Sequence, residues 1–329
     1  MGDGLTALPL KIAVATYGHT AELKQGKVPI AGVTPEFIEV NPIVAAYRRM
    51  VRDVEFDVCE LSAATYMIAR EAGAPFTALP LFTYRRFHHA GLVCRDDAGI
   101  HSPKDLEGKN VGVRAWSVTT GIWTRGILQN EYGVDLSTIT WVVDDEEHVQ
   151  SLRLPPNVVH APAGRSLADM MVAGELQAAF TANAGIGRAG PPQSGWVNNA
   201  RRPPNYVELF PAAPRLEAAW FNKTGIYPVH GLIVVKDELL ARHPWLAQAI
   251  FNAFVEAKTR YLAQLKAGTS VSAQDEDYRH KATIVGDPLP YGLNANRPAI
   301  EALITYCHQQ GLIKKRYAAA ELFVDPETS

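Results

Sequence analysis

Cysteine is scarce. Cys59, Cys94 and Cys307 lie far apart in a chain of 329 residues and form no C-x-x-C pair, which excludes a disulfide framework and a thiolate zinc site. Cys59 and Cys94 sit in apolar runs and read as small buried hydrophobes. Charge of one sign is missing too. The 32 Lys and Arg residues nearly balance 34 Asp and Glu, the net charge is −2, and no basic stripe occurs. A nucleic-acid partner is therefore not expected. No run approaches the ~18 apolar residues that cross a bilayer. The opening MGDG-LTALPL has no basic stretch leading into a long apolar one with a small-residue cleavage site. The expectation is a cytoplasmic protein with no membrane partner. HExxH spacing, internal repeats and low-complexity tracts are also absent.

What is present suits a globular protein of about two domains, on the rough prior of 100–200 residues each. Hydrophobic residues make up 47% and charged residues 20%, enough to bury a real core. Lys11–Thr16 reads as a buried parallel strand whose exit, Gly18-His19-Thr20, is the usual place for ligand contacts in an open α/β sheet. Thr34–Val40 is a second strand. An amphipathic helix over 42–52 follows, with Ile43, Tyr47 and Val51 on one face. Strands at Phe56–Leu61 and Phe76–Phe82 complete a β-α-β-α-β rhythm. A second α/β series begins at Gly108–Arg114, with a helix from Thr120 to Tyr132, a strand Ile139–Val143, a helix near Ser166–Ala173 and a strand Gln177–Thr181. The segment through Arg201-Arg202-Pro203-Pro204 and Asn205 is a polar, proline-rich excursion. Ile226–Val235 is a returning strand, and only helices are expected after it. The expected fold class is α/β and two-lobed, with two crossing strands near 90 and 230 and C-terminal helices. Residues 1–95 and 228–329 would form one discontinuous lobe and 96–227 the other.

Several motifs resemble a known family. DLEGKNVGV (105–113) followed by a Ser/Thr-rich turn, and FDVCELSAATY (56–66), are similar to the ligand-side turns of the type II periplasmic-binding-protein fold. More narrowly, FTYRRFHHAGLVCR (82–95), GVRAWSVTTGIWTRGILQNEYGVDLSTITWV (112–142) and IYPVHGLIVV (226–235) resemble the 4,5-dihydroxyphthalate decarboxylase family over nearly the whole chain. The resemblance implies a cytoplasmic carboxy-lyase that holds a small aromatic carboxylate between its lobes and releases CO2. Two other readings stay open: a non-catalytic solute-binding protein of the same fold, and another cytoplasmic enzyme of this fold acting on a different aromatic acid. Homo-oligomerisation also stays open.

Such a reaction needs a cation for the retained carboxylate, a base, an acid and a dry pocket. Arg85 and Arg86 are candidate carboxylate clamps, although neighbours on a strand point to opposite faces and at most one should face a ligand. Arg114, Trp116, Ser117, Thr119 and Thr120 lie at a strand-to-helix turn, where backbone N–H groups and hydroxyls can receive an anion. Tyr17 and Trp116 are candidates to stack on the ring, and Asn183 is a further polar contact. His230, in the returning strand, is the leading acid/base group, with Glu60 and His89 as alternatives. The His88-His89 pair with Glu60 leaves a divalent metal open, but adjacent residues make a poor two-ligand motif. The chemistry itself is intelligible without an organic cofactor, and none is expected. The acidic run Asp144-Asp145-Glu146-Glu147 reads as a solvated turn or helix start and is left out of the site.

Overall fold

The computed structural model describes residues 7–189, 197–198 and 206–326. The Arg201–Asn205 excursion lies outside them. Two units of α/β type emerge from the pattern of internal contacts. The first comprises the described residues up to Arg85, Val229–Glu301 and those from Tyr317 on; the second comprises Arg86–Pro228 and Ala302–Arg316.

The first unit is built on a five-stranded sheet in the order Val33–Phe37, Leu8–Ala13, Val58–Ser62, Val229–Lys236, Phe76–Arg85. The first three run parallel, and the returning strand Val229–Lys236 lies antiparallel to both its neighbours. All five residues of Val58–Ser62 are buried, as a central strand covered on both faces requires. One face carries Leu10, Ile12, Val58, Leu79 and Ile233 against Ile250, Phe254 and Ala257 of the helix Leu246–Ala267. Each such Leu, Ile or Phe contributes roughly 1.5–3 kcal/mol on burial.

The exit Gly18-His19-Thr20, expected as a loop, opens the helix Gly18–Lys24. The Thr20 hydroxyl accepts from the Tyr17 N–H at 2.8 Å and donates to the Ala15 carbonyl at 2.7 Å, closing the turn at the strand exit. Gly18 is needed for the packing, because a Cβ there would fall 2.0 Å from the Tyr261 ring.

The second unit has a six-stranded sheet in the order Tyr206–Glu208, Leu92–Arg95, Ala178–Phe180, Asn110–Gly112, Thr140–Val143, Val158–His160. Leu92–Arg95 therefore pairs within the second unit rather than closing the first, which moves that expected boundary from 95 to 85. The segment Ala302–Arg316 also belongs here rather than with the other C-terminal residues. Its Tyr306 ring meets Trp123 edge-on at 5.6 Å, and its Gln310 side chain accepts from Arg125 Nε at 2.8 Å. The helix Thr119–Tyr132 is buried from Thr119 to Leu128 and ends on Gly133 in the left-handed region. A further helix, Ala213–Thr224, has no counterpart in the sequence reading.

Candidate active site

In the first unit a polar cluster gathers around Glu60. Alternation along Val58–Ser62 puts Val58, Glu60 and Ser62 on one face, and Glu60 is fully enclosed. Its Oε1 accepts from the Tyr17 hydroxyl at 2.8 Å and the Tyr47 hydroxyl at 3.1 Å, and its Oε2 accepts from the Ala15 N–H at 3.2 Å. These donors are all uncharged. Burial pushes the carboxyl above the usual carboxylate range, and the hydrogen bonds work against that shift without cancelling it.

Around this carboxyl the accessible groups are aromatic. Tyr17 stacks on His19 with centroids 5.2 Å apart and on Tyr84 at 6.3 Å, and Tyr84 meets His230 edge-on at 5.4 Å. Tyr17, Tyr84 and His230 are each half-buried. The pairing of Val229–Lys236 with Phe76–Arg85 shifts register on either side of Gly231, an irregularity of the kind that re-aims side chains. A Cβ on Gly231 would stand 2.6 Å from Thr83 Oγ1 and 3.2 Å from Glu60 Oε1, so glycine lets the returning strand run close beside the carboxyl. His19 lies enclosed beneath Tyr17. Burial lowers its pKa to about 3, opposed by the backbone of Thr83 and helped by the charge of Lys258.

The arginines separate by partner. The buried Arg85 guanidinium is directed to Asn296 Oδ1 and to the Pro290 carbonyl, within the first unit. Arg86, half-buried in the second unit, donates from Nη2 to Thr120 Oγ1 at 2.7 Å, and its Nε is buried with no hydrogen-bond partner among the described residues. The Thr119 hydroxyl is likewise buried without a partner among the described residues. Arg86, Thr119 and Thr120 thus come together at the start of the helix Thr119–Tyr132.

The rest of the expected anion turn is already engaged. Arg114 Nη1 pairs with Asp145 Oδ2 at 3.1 Å, both side chains buried. The Trp116 and Ser117 N–H groups donate to the two oxygens of Glu147, at 2.6 and 3.0 Å. The acidic run set aside as a solvated turn therefore supplies the anions for this turn. The cause is the parallel pairing of Asn110–Gly112 with Thr140–Val143, which brings the two strand exits side by side. Trp116 is a core residue rather than a ring platform: it lies under the Arg125 guanidinium at 3.6 Å, and its Nε1 donates to the Gln310 carbonyl at 3.2 Å. Asn183 sits exposed in a short turn, Ala182–Ala184.

His88 stacks on Trp123 at 6.1 Å. His89 is enclosed between Phe210 and Trp220, both edge-on at 5.5 and 5.6 Å, and neither ring nitrogen has a hydrogen-bond partner among the described residues. Burial lowers its pKa to about 4, so at neutral pH the ring is uncharged and is no imidazolium acid. Among the described residues no group of three or more His, Cys, Asp or Glu is arranged to hold a metal ion, and no helix is long and apolar enough to cross a membrane.

The sequence reading missed Tyr47, Tyr84 and the anchoring acids Asp145 and Glu147, and placed His19 at a ligand-side strand exit without seeing its burial. Tyr47 was placed on the apolar stripe of its helix, and a tyrosine on such a stripe opposite a glutamate in a buried strand was the available signal. No local pattern marks Glu147 as the partner of two backbone amides 30 residues away.

The two sheets and the discontinuous first unit define a type II periplasmic-binding-protein-like fold. The periplasmic aliphatic sulphonate binding protein SsuA from Escherichia coli has a similar structure, with a TM-score of 0.54, 12% identity and coverage of 96% of this chain and 97% of that one. The desulfurization enzyme DSZB gives 0.50 with 13% identity, covering 97% of each chain. Both likenesses show the fold alone. The family described as NMT1/THI5 like matches residues 46–152. In sequence, the chain is 32% identical to the 4,5-dihydroxyphthalate decarboxylase of Comamonas testosteroni, over 97% of both lengths. It is also 36% identical to that of Pseudomonas putida, over 53% of this chain and 70% of the relative. The chain belongs to the 4,5-dihydroxyphthalate decarboxylase family.

Proposed function

We propose that this chain is a cytoplasmic, cofactor-independent decarboxylase that converts 4,5-dihydroxyphthalate into protocatechuate and CO2. The observation that carries the reading is the relationship to a decarboxylase of that name over 97% of both chains. In this substrate each carboxylate has a hydroxyl para to it. A base takes the phenolic proton, and a proton is added at the ring carbon bearing the departing carboxylate, giving a quinoid intermediate. The C–C bond then breaks, its electron pair restores the aromatic ring, and CO2 leaves. One proton is consumed overall, and it ends on the ring.

The residues suit these demands one by one. Arg86, whose guanidinium meets a neutral hydroxyl and no acid among the described residues, has the capacity to hold the retained carboxylate together with Thr119 and Thr120. His230, half-buried beside Tyr84, is proposed as the group that exchanges the phenolic proton. Glu60, a carboxyl that burial makes readier to hold a proton, is proposed as the acid. The test is to incubate the protein with 4,5-dihydroxyphthalate and follow CO2 and protocatechuate, before and after dialysis against a chelator. Turnover that survives the chelator supports the reading. Turnover lost to the chelator and restored by a metal overturns cofactor independence, and tight binding with no CO2 release favours a solute-binding protein.

A further inference from the structure

We propose that Tyr17 is a catalytic residue of the decarboxylation, passing a proton to the substrate ring while taking one from Glu60, and that Tyr47 is the positioning residue of this relay. The inference rests on the decarboxylase reading. Glu60 is enclosed and cannot itself touch a ligand, whereas Tyr17 is half-buried and its hydroxyl lies 2.8 Å from Glu60 Oε1. A phenol is amphoteric as a hydrogen-bonding group. With Glu60 protonated, the same contact runs from the carboxyl O–H to the Tyr17 oxygen, and the phenolic hydrogen is released to point away from the carboxyl.

The step balances. The Tyr17 O–H breaks as its proton bonds to the ring carbon, and the Glu60 proton moves to the Tyr17 oxygen, so the phenol is regenerated as it reacts. Glu60 is left as a carboxylate, received by the Tyr47 hydroxyl at 3.1 Å and the Ala15 N–H at 3.2 Å together with Tyr17. Solvent restores its proton after CO2 has gone. Tyr17 alone would be a poor donor, since burial and the neighbouring carboxyl hold its phenol well above the usual range; the coupled transfer avoids the phenolate. The titratable groups coupled to this carboxyl are Tyr17, Tyr47, Cys59 and Tyr291, all held neutral by burial. Lys258 acts on the cluster through His19 and is itself engaged by Asp287 at 3.0 Å.

Three variants of the full chain test the relay with 4,5-dihydroxyphthalate. Tyr17→Phe keeps the stacked ring and removes the proton, so kcat should fall ~10²-fold or more with KM little changed. Glu60→Gln keeps an acceptor for both tyrosines and should fall similarly. Tyr47→Phe removes a donor that favours the carboxylate. The pKa of Glu60 in the complex should rise, and the high-pH fall in kcat, where Glu60 loses its proton, should move to higher pH; a merely structural role would not move it. Wild-type kcat in Tyr17→Phe, or an unmoved profile in Tyr47→Phe, overturns the relay while leaving the decarboxylase reading intact. A wild-type protein that releases no CO2 overturns both.

Discussion

His19 should make the first unit acid-sensitive well above the pH at which carboxylates protonate. It is fully enclosed, and its pKa falls from the ordinary 6.5 to about 3. Above pH 6.5 the folded and unfolded chains both hold it neutral. Below that value the unfolded chain takes a proton that the folded chain refuses. The stability it permits is thus fully present above the unfolded pKa and is lost as pH falls toward 3. The slope is about 1.4 kcal/mol per pH unit, which makes the loss about 2 kcal/mol at pH 5. Urea unfolding of the wild type and of His19→Phe at pH 7.5, 6 and 5 measures it. All other groups, including the buried His89, cancel in the difference. The wild type should lose about 2 kcal/mol more than the variant between pH 7.5 and 5. Equal losses would mean that His19 is not held neutral, and the account of the stacked Tyr17–His19 pair would fall with it.

Arg86→Ala should raise KM for the dicarboxylate ~10-fold or more, with Arg86→Lys recovering part of the loss, because a guanidinium can grip a carboxylate with two N–H groups; steady-state kinetics with unchanged KM would refute the assignment. His230→Ala should depress kcat by ~10²-fold or more, measured as protocatechuate formed, and near-wild-type kcat would remove it from the mechanism. Gly231→Ala must displace Thr83 or Glu60, since its Cβ would stand 2.6 Å from Thr83 Oγ1. Its kcat should therefore fall by a larger factor than that of an alanine replacement at the neighbouring surface position Glu238, and equal rates would refute the close approach.

Much of the framework was legible because it rests on local patterns. Short apolar runs bounded by small or polar residues gave the strands Val58–Ser62 and Phe76–Arg85, and the returning strand showed itself as an apolar run after Tyr227-Pro228. The membership of Leu92–Arg95 was not legible, because a strand's sheet is decided by its partners, here Ala178–Phe180 and Tyr206–Glu208. The short helix Gly18–Lys24 escaped for a related reason: Thr20, which looks like a loop residue, closes its first turn. At the site, Glu60 and Tyr17 were recognised separately, while their hydrogen bond spans 43 residues and no spacing announces it.

The three arginines show why residue type alone does not choose among candidate carboxylate clamps. A guanidinium is available to a ligand only to the extent that the fold leaves it uncompensated. Arg114 and Asp145 are a buried pair, and separating such a pair costs about 3–5 kcal/mol, which a ligand carboxylate at the same place would first have to recover. Arg85 is turned to the carbonyl of Pro290 and the amide of Asn296, and its burial at 1% exposure keeps it there. Among the described residues Arg86 meets one neutral hydroxyl and keeps an Nε without a partner, so a carboxylate proposed to bind there would displace no counter-charge from them. The acidic run engages Arg114 and the amides of Trp116 and Ser117, which leaves Arg86 the least compensated of the three arginines among the described residues.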